Sequence, residues 1–448
     1  MALTLDLGQF VAGLSPNRVP GEAARIARTG FIDCVGTMIA GRVEEPTRLL
    51  EGVLQAGAGP ASVCFTERRA GGADAAWING VAGHALDYDD VALRGHPSTV
   101  LVPAILAEAE TLDLSGRDMV VAYVAGYEVW AELVRRESGF HHGKGWHPTG
   151  IFGAIAAAAA CAKLRRLDAS RTAQALALGA SQSGGLMANF GTMTKPFHAG
   201  RAAHAGVMSA RLAEAGFTAA VDALEHEQGF LAAVSPAGEV DRTGVPEGLG
   251  ERWRIVESGL SVKKYPACYC THRAIDGVLD LVRERDVRAE DVDAVTVTLS
   301  DNYATILRNH RPATGLAAKF SIEFAMASAI VARRVGLAEL TDGFVQRADV
   351  QGLMGRVSVV TNRDYDADSP GASVADQVVI GLRGGGTLEG ERVRRARGHA
   401  DRPLGEGELF AKFEECLTVG GSVVPARVMF ERLTGMEGGA ARSLAAVH

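Results

Sequence analysis

The distribution of apolar side chains predicts that the first 260 residues are helical. In residues 21–41 and 116–136, apolar positions recur every three to four residues, the spacing that places them on one face of a helix. Residues 98–112 and 149–164 are apolar on nearly every face, as is typical of helices enclosed by other helices. We therefore expect a helical bundle whose central helices carry small, buried side chains.

The pattern changes after about residue 265. Residues 292–301 alternate and are rich in β-branched side chains, which predicts a strand, and residues 355–364 predict another. Residues 376–398 predict two strands joined by a Gly-rich turn. The expected fold class is mainly α, with a large all-helical domain plus a smaller α+β lid domain. We assign residues 1–264 and 400–448 to the first domain and residues 265–399 to the lid.

Composition and charge narrow the possible partners. Hydrophobic residues make up 47% of the 448 positions and charged residues 22%, which is typical of a soluble globular protein. The net charge of −7 and the lack of a long basic run argue against nucleic acid, since phosphate contacts need clustered Lys and Arg. The alanine-rich run at residues 150–162 is shorter than a membrane span. We expect a cytoplasmic protein with no membrane partner and with six reduced cysteines.

The first candidate site is the acidic motif "HALDYDD" at residues 84–90, followed by "GHPS". A helix continuing through this motif would place Asp87 on one face with His84, and Gly80 would leave open space on that face. The next glycine would break the helix, so that Asp87 and His96 could meet as an oriented acid–base pair. The alternative is that the carboxylates cap helix ends and His96 makes a structural hydrogen bond.

The second candidate is the His-rich segment "GFHHGKGWHPTG" at residues 139–150. His147 lies just before an apolar helix, and the free N–H groups at a helix N-terminus favour anions. A flexible surface loop and a metal site built from the three histidines are the alternatives. The metal site is the weaker one, because Glu137 is the sole nearby acid that could complete the ligand set.

Two further segments each contain a candidate lysine. In "FGTMTKPFHAGRAAHAG", Lys195 lies among small residues with Arg201 and two histidines nearby, which predicts a carboxylate clamp. An ordinary surface lysine is the alternative. In "SVKKYPACYCTH", the two cysteines lack a second ligand pair for zinc, so Lys263 is the better functional candidate.

Taken in order, these motifs resemble the MmgE/PrpD family. The resemblance runs from about residue 20 to about residue 435 and includes "NGVAGHALDYDD…GHPS", "GWHPTG", "TKPFHAGRAAHAGVMSARLAEAGFT", "KKYPACYCTHRAID" and "AKFSIEF". The family contains 2-methylcitrate dehydratase, cis-aconitate decarboxylase and iminodisuccinate epimerase. The resemblance implies a homodimer that acts on a small-molecule polycarboxylate substrate without a metal or other cofactor.

The resemblance also implies site residues. It assigns catalysis to Asp87, His96, His147 and Tyr303, substrate binding to Lys195 and Lys263, and no residue to a metal. Val91 stands where the decarboxylase has threonine, which weakens the decarboxylase interpretation. A 2-methylcitrate dehydratase-like activity ranks first because it is the activity most often assigned in the family, with an iminodisuccinate-type epimerase second and a cis-aconitate-type decarboxylase third. A catalytically silent binding or scaffold protein is the alternative from a different class.

The shared chemistry of these activities is charge development next to a carboxylate. Removal of an α-proton gives an enediolate-like species, and the two lysines would stabilise its oxyanion. His96, oriented by Asp87, would move the proton. A dehydratase also needs an acid for the departing hydroxide, for which His147 and Tyr303 are the candidates.

Overall fold

The structure is a computed structural model that describes residues 3–367, 369 and 371–446. Contacts divide the chain into two compact units. The first contains Met1–Ala188, Met193–Val262 and Gly405–His448, and the second contains Asn189–Thr192 and Lys263–Leu404. The predicted fold class is confirmed: the chain is mainly α, and the strands of its larger sheet all lie in the smaller, second unit.

Helices occupy most of the first unit, whereas the second unit combines helices with the larger sheet. In chain order they are α1 (Leu3–Gly13), α2 (Gly21–Gly41), α3 (Glu45–Leu54), α4 (Gly72–Ala85), α5 (Ser98–Leu112), α6 (Gly116–Arg135), α7 (His141–Lys144), α8 (Pro148–Leu164), α9 (Ala169–Ser181), α10 (Thr194–Glu214), α11 (Phe230–Val234), α12 (Arg254–Ser258), α13 (His272–Arg285), α14 (Asp301–Ile306), α15 (Gly315–Ala318), α16 (Ile322–Val331), α17 (Asp342–Val345), α18 (Ala348–Met354), α19 (Glu406–Gly420), α20 (Ala426–Thr434) and α21 (Ala441–Leu444). Short 3-10 helices cover Pro16–Arg18, Met187–Asn189, Tyr269–Thr271, Ala289–Asp291 and Met436–Gly438.

Small residues let α4 and α10 approach each other closely in the first unit. A Cβ atom added to Gly80 would lie 2.6 Å from the Cα atom of Gly200, and one added to Gly200 would lie 2.3 Å from the carbonyl oxygen of Trp77. The prediction of open space beside Gly80 is therefore wrong, because the backbone of α10 fills this space. This contact brings the first turn of α10 beside the last turn of α4.

The sheet of the second unit has the strand order β4-β3-β5-β6. Its strands are β3 (Val292–Ser300), β4 (Val357–Asn362), β5 (Gln377–Leu382) and β6 (Thr387–Glu389), and all four lie in segments predicted to be strands. β4 pairs with β3 in parallel, and the other pairs are antiparallel. A two-stranded antiparallel pair, β1 (Ala61–Ser62) with β2 (Arg69–Ala70), lies in the first unit.

The buried character of the central helices agrees with the apolar pattern. Every residue of α8 except Lys163 is buried, so its alanine run packs inside the bundle. Among the residues that the structure describes, no helix combines the length and the apolar character needed to cross a bilayer. All six cysteines are buried free thiols, as the sequence predicts.

Candidate active site

The acidic motif leaves the helical conformation in its middle. α4 ends at Ala85, and Asp87 has a φ of +50°. Asp tolerates this left-handed region better than most residues. The predicted continuation of the helix through the motif is therefore wrong, and with it the shared face of His84 and Asp87. His84 lies on the last turn of α4, whereas Asp87 and Asp89 lie on the loop that follows.

A two-residue turn presents His96. Leu93 and Arg94 have φ values of +50° and +64°, as in the type I′ turns of tight hairpins. The flanking residues, Ala92 and Gly95, exchange backbone hydrogen bonds of 3.0 and 2.8 Å. The turn thus fixes the direction in which the chain enters His96.

The first turn of α8 anchors two histidines. The backbone N–H of His96 donates to the Thr149 hydroxyl at 3.2 Å. His147 is the N-cap of α8, which confirms its predicted position at a helix N-terminus. Its own N–H donates to the carbonyl of Gly185 at 3.0 Å, and its ring stacks on that of His84 with centroids 6.0 Å apart.

Asp89 joins two of these imidazoles. Its carboxylate lies 2.8 Å from Nδ1 of His84 and 3.1 Å from Nδ1 of His96. The carboxylate hydrogen-bonded to His96 is thus Asp89, and the predicted pairing of His96 with Asp87 is corrected accordingly. Burial alone would raise the pKa of Asp89, but His84 and His96 hold it well below its usual value. Asp89 is therefore a buried, ionised carboxylate.

Lys195 joins Asp87 to His84. Its ammonium donates to Oδ1 of Asp87 at 2.7 Å and lies 2.8 Å from Nε2 of His84. Burial, opposed by Asp89 and assisted by the charge of Lys195, lowers the pKa of His84 to about 3. His84 is therefore neutral near pH 7, and its Nε2 accepts the proton of the ammonium, which has no acceptor of its own.

These contacts form one continuous chain. It runs from Asp87 through Lys195, His84 and Asp89 to His96. The side chains before His96 are at most 5% exposed, whereas that of His96 is 12% exposed. His96 is thus the end of the chain that reaches solvent.

His147 and His198 form a second imidazole pair. Their Nδ1 atoms are 3.1 Å apart. Burial and then the charge of Lys195 lower the pKa of His198 to about 4 and hold the pKa of His147 well below its usual value. Both rings are therefore neutral near pH 7, and a hydrogen bond between the two Nδ1 atoms requires that one of them carries the proton.

The cluster also contains atoms that could serve as metal ligands. One donor atom from each of His84, Asp87, Asp89 and His96 lies within 4.8 Å of the others. The ammonium of Lys195 already lies within hydrogen-bond distance of two of these groups. The Lys195 ammonium therefore already provides a positive charge at this position. That the enzyme needs no metal stays a prediction.

Arg201, Lys263 and Tyr303 complete the set of predicted residues. Arg201 faces away from this cluster, with its guanidinium 5.5 Å from the ring centroid of Trp77 and 2.8 Å from Nδ1 of His204. Lys263 and Tyr303 belong to the second unit. Lys263 is buried, and Tyr303 lies on α14. Their functional roles stay predictions.

Sequence patterns did not assign His84, Asp89 and His198 to the candidate site, although the structure places them in hydrogen bonds with predicted site residues. Asp89 was overlooked because a helical projection of the acidic motif places it off the face of His84. His84 bonds both Lys195 and Asp89, two contacts that the sequence patterns do not assign to it. A signal for His198 was present, since it lies one helical turn after Lys195.

Comparison with known protein families places this cluster in context. A model described as the MmgE/PrpD N-terminal domain matches residues 5–243, and one described as the MmgE/PrpD C-terminal domain matches residues 265–430. The chain belongs to the MmgE/PrpD family. Every residue of the hydrogen-bonded chain described above lies in the part that matches the N-terminal model.

Relatives of this MmgE/PrpD chain are named as cis-aconitate decarboxylases or as similar to them. Cis-aconitate decarboxylase of Homo sapiens is 28% identical over 351 residues, covering 76% of this chain and 71% of the human protein. A cis-aconitate decarboxylase-like protein of Aspergillus oryzae is 26% identical over 444 residues, covering 92% and 90%. Cis-aconitate decarboxylase of Aspergillus terreus is 24% identical over 447 residues, covering 94% and 90%. These similarities support an enzyme that acts on carboxylates.

Proposed function

We propose that this MmgE/PrpD protein is a lyase that removes a proton next to a carboxylate of a small polycarboxylate, with dehydration as its leading reaction. The observation that carries the proposal is that Nδ1 of His96 faces two acceptors, the carboxylate of Asp89 at 3.1 Å and the carbonyl of Asp90 at 3.0 Å. A neutral imidazole that donates from Nδ1 keeps its lone pair on Nε2. His96 is therefore prepared as a base at the end of the chain that reaches solvent.

The proton transfer would use His96 and Asp89 together. Nε2 of His96 accepts the α-proton, and the ring becomes an imidazolium. The ionised carboxylate of Asp89 stabilises this cation without becoming protonated itself, in the same way as the carboxylate of a catalytic triad. General-base catalysis of this kind contributes about 10²- to 10⁴-fold to the rate.

The negative charge formed on the substrate would be stabilised by lysine. The ammonium of Lys195 is held in place by Asp87 and His84, so little reorganisation is needed when the charge develops. We assign Lys263 the same kind of contact with a second carboxylate, on the basis of the family resemblance.

Departure of hydroxide would need a proton. The proton that His96 takes from the substrate leaves with the hydroxide as water, and we assign His147 a hydrogen bond to the departing group, donated from Nε2 when Nδ1 accepts from His198. Tyr303 is the alternative donor. Burial raises the pKa of Tyr303 above its usual value, so the phenol is protonated and would act as a hydrogen-bond donor to the departing group.

Decarboxylation is the second candidate reaction, favoured by the printed activity of the relatives. Loss of carbon dioxide leaves a carbanion, which the same ammonium could stabilise before it takes up a proton. Val91 lacks the hydroxyl that the resemblance leads us to expect in a decarboxylase, so decarboxylation ranks below dehydration, the activity most often assigned in the family.

Proton NMR in D₂O tests the proposal directly. The purified protein would be incubated with 2-methylcitrate, citrate, cis-aconitate and iminodisuccinate, with His96→Gln as the matched inactive control. Formation of an alkene from a hydroxy acid supports dehydration, and carbon dioxide release from cis-aconitate supports decarboxylation. Deuterium uptake without a new product indicates epimerisation. Turnover unchanged in His96→Gln, or none with any polycarboxylate, would refute the proposal.

A further inference from the structure

We propose that His84 is a positioning residue that couples the lysine of the site to its general base, through a different ring nitrogen on each side. This inference rests on the proposed function for its kinetic consequences. Its structural content, the protonation pattern of one buried imidazole, can be tested without any substrate.

The contacts on the two sides of the ring fix this pattern. Nε2 of His84 lies 2.8 Å from Nζ of Lys195, and Nδ1 lies 2.8 and 3.0 Å from the two oxygens of Asp89. An ammonium can only donate and a carboxylate can only accept. A neutral imidazole satisfies both partners in one tautomer, with its proton on Nδ1 and its lone pair on Nε2.

Each nitrogen therefore has a separate task. Nε2 directs the ammonium of Lys195, which also bonds Asp87 at 2.7 Å. Nδ1 donates a hydrogen bond to the carboxylate of Asp89, which also contacts Nδ1 of His96. His84 itself is fully buried behind both groups, so it acts through Lys195 and His96 and not on the substrate.

Two amide substitutions separate the tasks. The amide nitrogen of His84→Asn can reach the position of Nδ1 and donate to Asp89, but the side chain is too short to reach Lys195. The amide oxygen of His84→Gln can reach the position of Nε2 and accept from Lys195, but it loses the donor to Asp89. Comparison of the two variants therefore distinguishes a positioning role from general support of the fold.

The variants should fail in different ways. His84→Asn should raise KM about tenfold, the cost of one hydrogen bond to a charged group, and leave the pH profile unchanged. His84→Gln should lower kcat and move the acid limb of the kcat profile to higher pH. The limb moves because Asp89, no longer shared, holds the imidazolium form of His96 more firmly.

His204→Asn is the matched control, since His204 is another neutral histidine, on α10, which contacts Arg201 and Trp77. It should leave KM and the pH profile unchanged. Equal kinetic effects in the two His84 variants, or none in either, would overturn the positioning role.

The tautomer is measured on the wild-type protein by long-range ¹H–¹⁵N NMR of ¹⁵N-histidine-labelled samples at pH 7. The resonances of His84 are assigned by their loss in His84→Asn. A proton on Nδ1 and none on Nε2 is the expected result. An imidazolium, or a proton on Nε2, would refute the inference even if the protein proves to be a polycarboxylate lyase. The expected tautomer without polycarboxylate turnover would instead place the failure in the proposed function.

Discussion

At the scale of single residues, the acids of the loop after α4 have separate partners. Asp87 bonds Lys195, Asp89 bonds two imidazoles, and Asp90 accepts from the backbone N–H of Ser98. Burial raises the pKa of Asp90 well above its usual value, and the neighbouring carboxylate of Asp33 adds to the effect. These three aspartates, close together in sequence, thus lie in three different electrostatic environments.

Replacement of Asp89 should damage catalysis more than binding. In Asp89→Asn, the imidazolium of His96 loses its ionised partner, while the carbonyl of Asp90, 3.0 Å from Nδ1, still holds the ring proton on that nitrogen. We expect kcat to fall about 10²-fold or more, with KM within a few-fold of wild type. Steady-state kinetics on the substrate found by NMR would measure both values.

Asp87→Asn is the matched comparison for this prediction. It removes the charge that holds Lys195 and should raise KM as well as lower kcat. A variant Asp89→Asn that retains wild-type kcat would show that His96 does not depend on this carboxylate.

His141 offers a stability prediction at the same scale. It is buried, its two ring nitrogens lack a hydrogen-bond partner, and its ring packs against Phe152 with centroids 5.0 Å apart. Burial lowers the pKa of His141 to about 4. A buried polar group without a hydrogen-bond partner costs about 1 kcal/mol or more of folding free energy. His141→Phe removes this cost and should therefore raise the thermal midpoint. A lower midpoint at both pH 5.5 and pH 7.5 would contradict this explanation.

At the scale of secondary structure elements, the contact between α4 and α10 positions the site. Lys195 and His84 are 111 positions apart in sequence, yet they are 2.8 Å apart in space. They meet because Gly80 and Gly200 allow the two helices to approach each other closely. Alanine on either side would force the helix axes apart.

Gly200→Ala should therefore impair both stability and catalysis. The added Cβ would lie 2.3 Å from the carbonyl oxygen of Trp77, and overpacking of this kind costs about 1–3 kcal/mol. We expect a lower thermal midpoint by differential scanning fluorimetry and a higher KM, because Lys195 moves away from its partners.

Gly52→Ala is the matched control for this substitution. Gly52 lies inside α3, and an added Cβ would meet nothing within 4 Å. It should raise the midpoint slightly, since alanine is favoured over glycine in a helix by about 1 kcal/mol. If Gly200→Ala changes the thermal midpoint and KM no more than Gly52→Ala does, the close contact between α4 and α10 is not needed for stability or catalysis.

At the scale of the whole molecule, buried neutral histidines make stability depend on pH. The pKa values of His84, His141 and His198 are lowered by burial to about 3, 4 and 4. The unfolded chain takes up these protons near pH 6.5, whereas the folded protein does not until the pH is much lower. The stabilisation is therefore fully present above about pH 6.5 and is lost as the pH falls toward 4.

Denaturant titrations at pH 7.5 and 5.5 would measure this loss. Each such histidine contributes at most about 1.4 kcal/mol per pH unit below the unfolded pKa, so the midpoint should be clearly lower at pH 5.5. His141→Phe should reduce the difference, whereas a substitution of the exposed His226 should not. A midpoint that does not change between the two pH values would show that the cluster titrates in the folded state.

Sequence by itself determined the elements and the family. The three-to-four residue period of apolar positions predicted α2, and alternation predicted β3. Both signals are local, because burial of one face within a single element leaves its period in the sequence. The ordered motifs supplied the resemblance and the candidate residues.

Only the tertiary structure decided which side chains meet. α4 ends before Asp87, whose φ is left-handed, and the turn that follows gives His96 the partner Asp89 instead of the predicted Asp87, which bonds Lys195. The periodicity of apolar residues does not predict this turn, since one left-handed φ angle leaves the apolar pattern of the sequence unchanged. Hydrogen bonds between residues about a hundred positions apart depend on how helices pack, and that packing is a property of the folded chain as a whole.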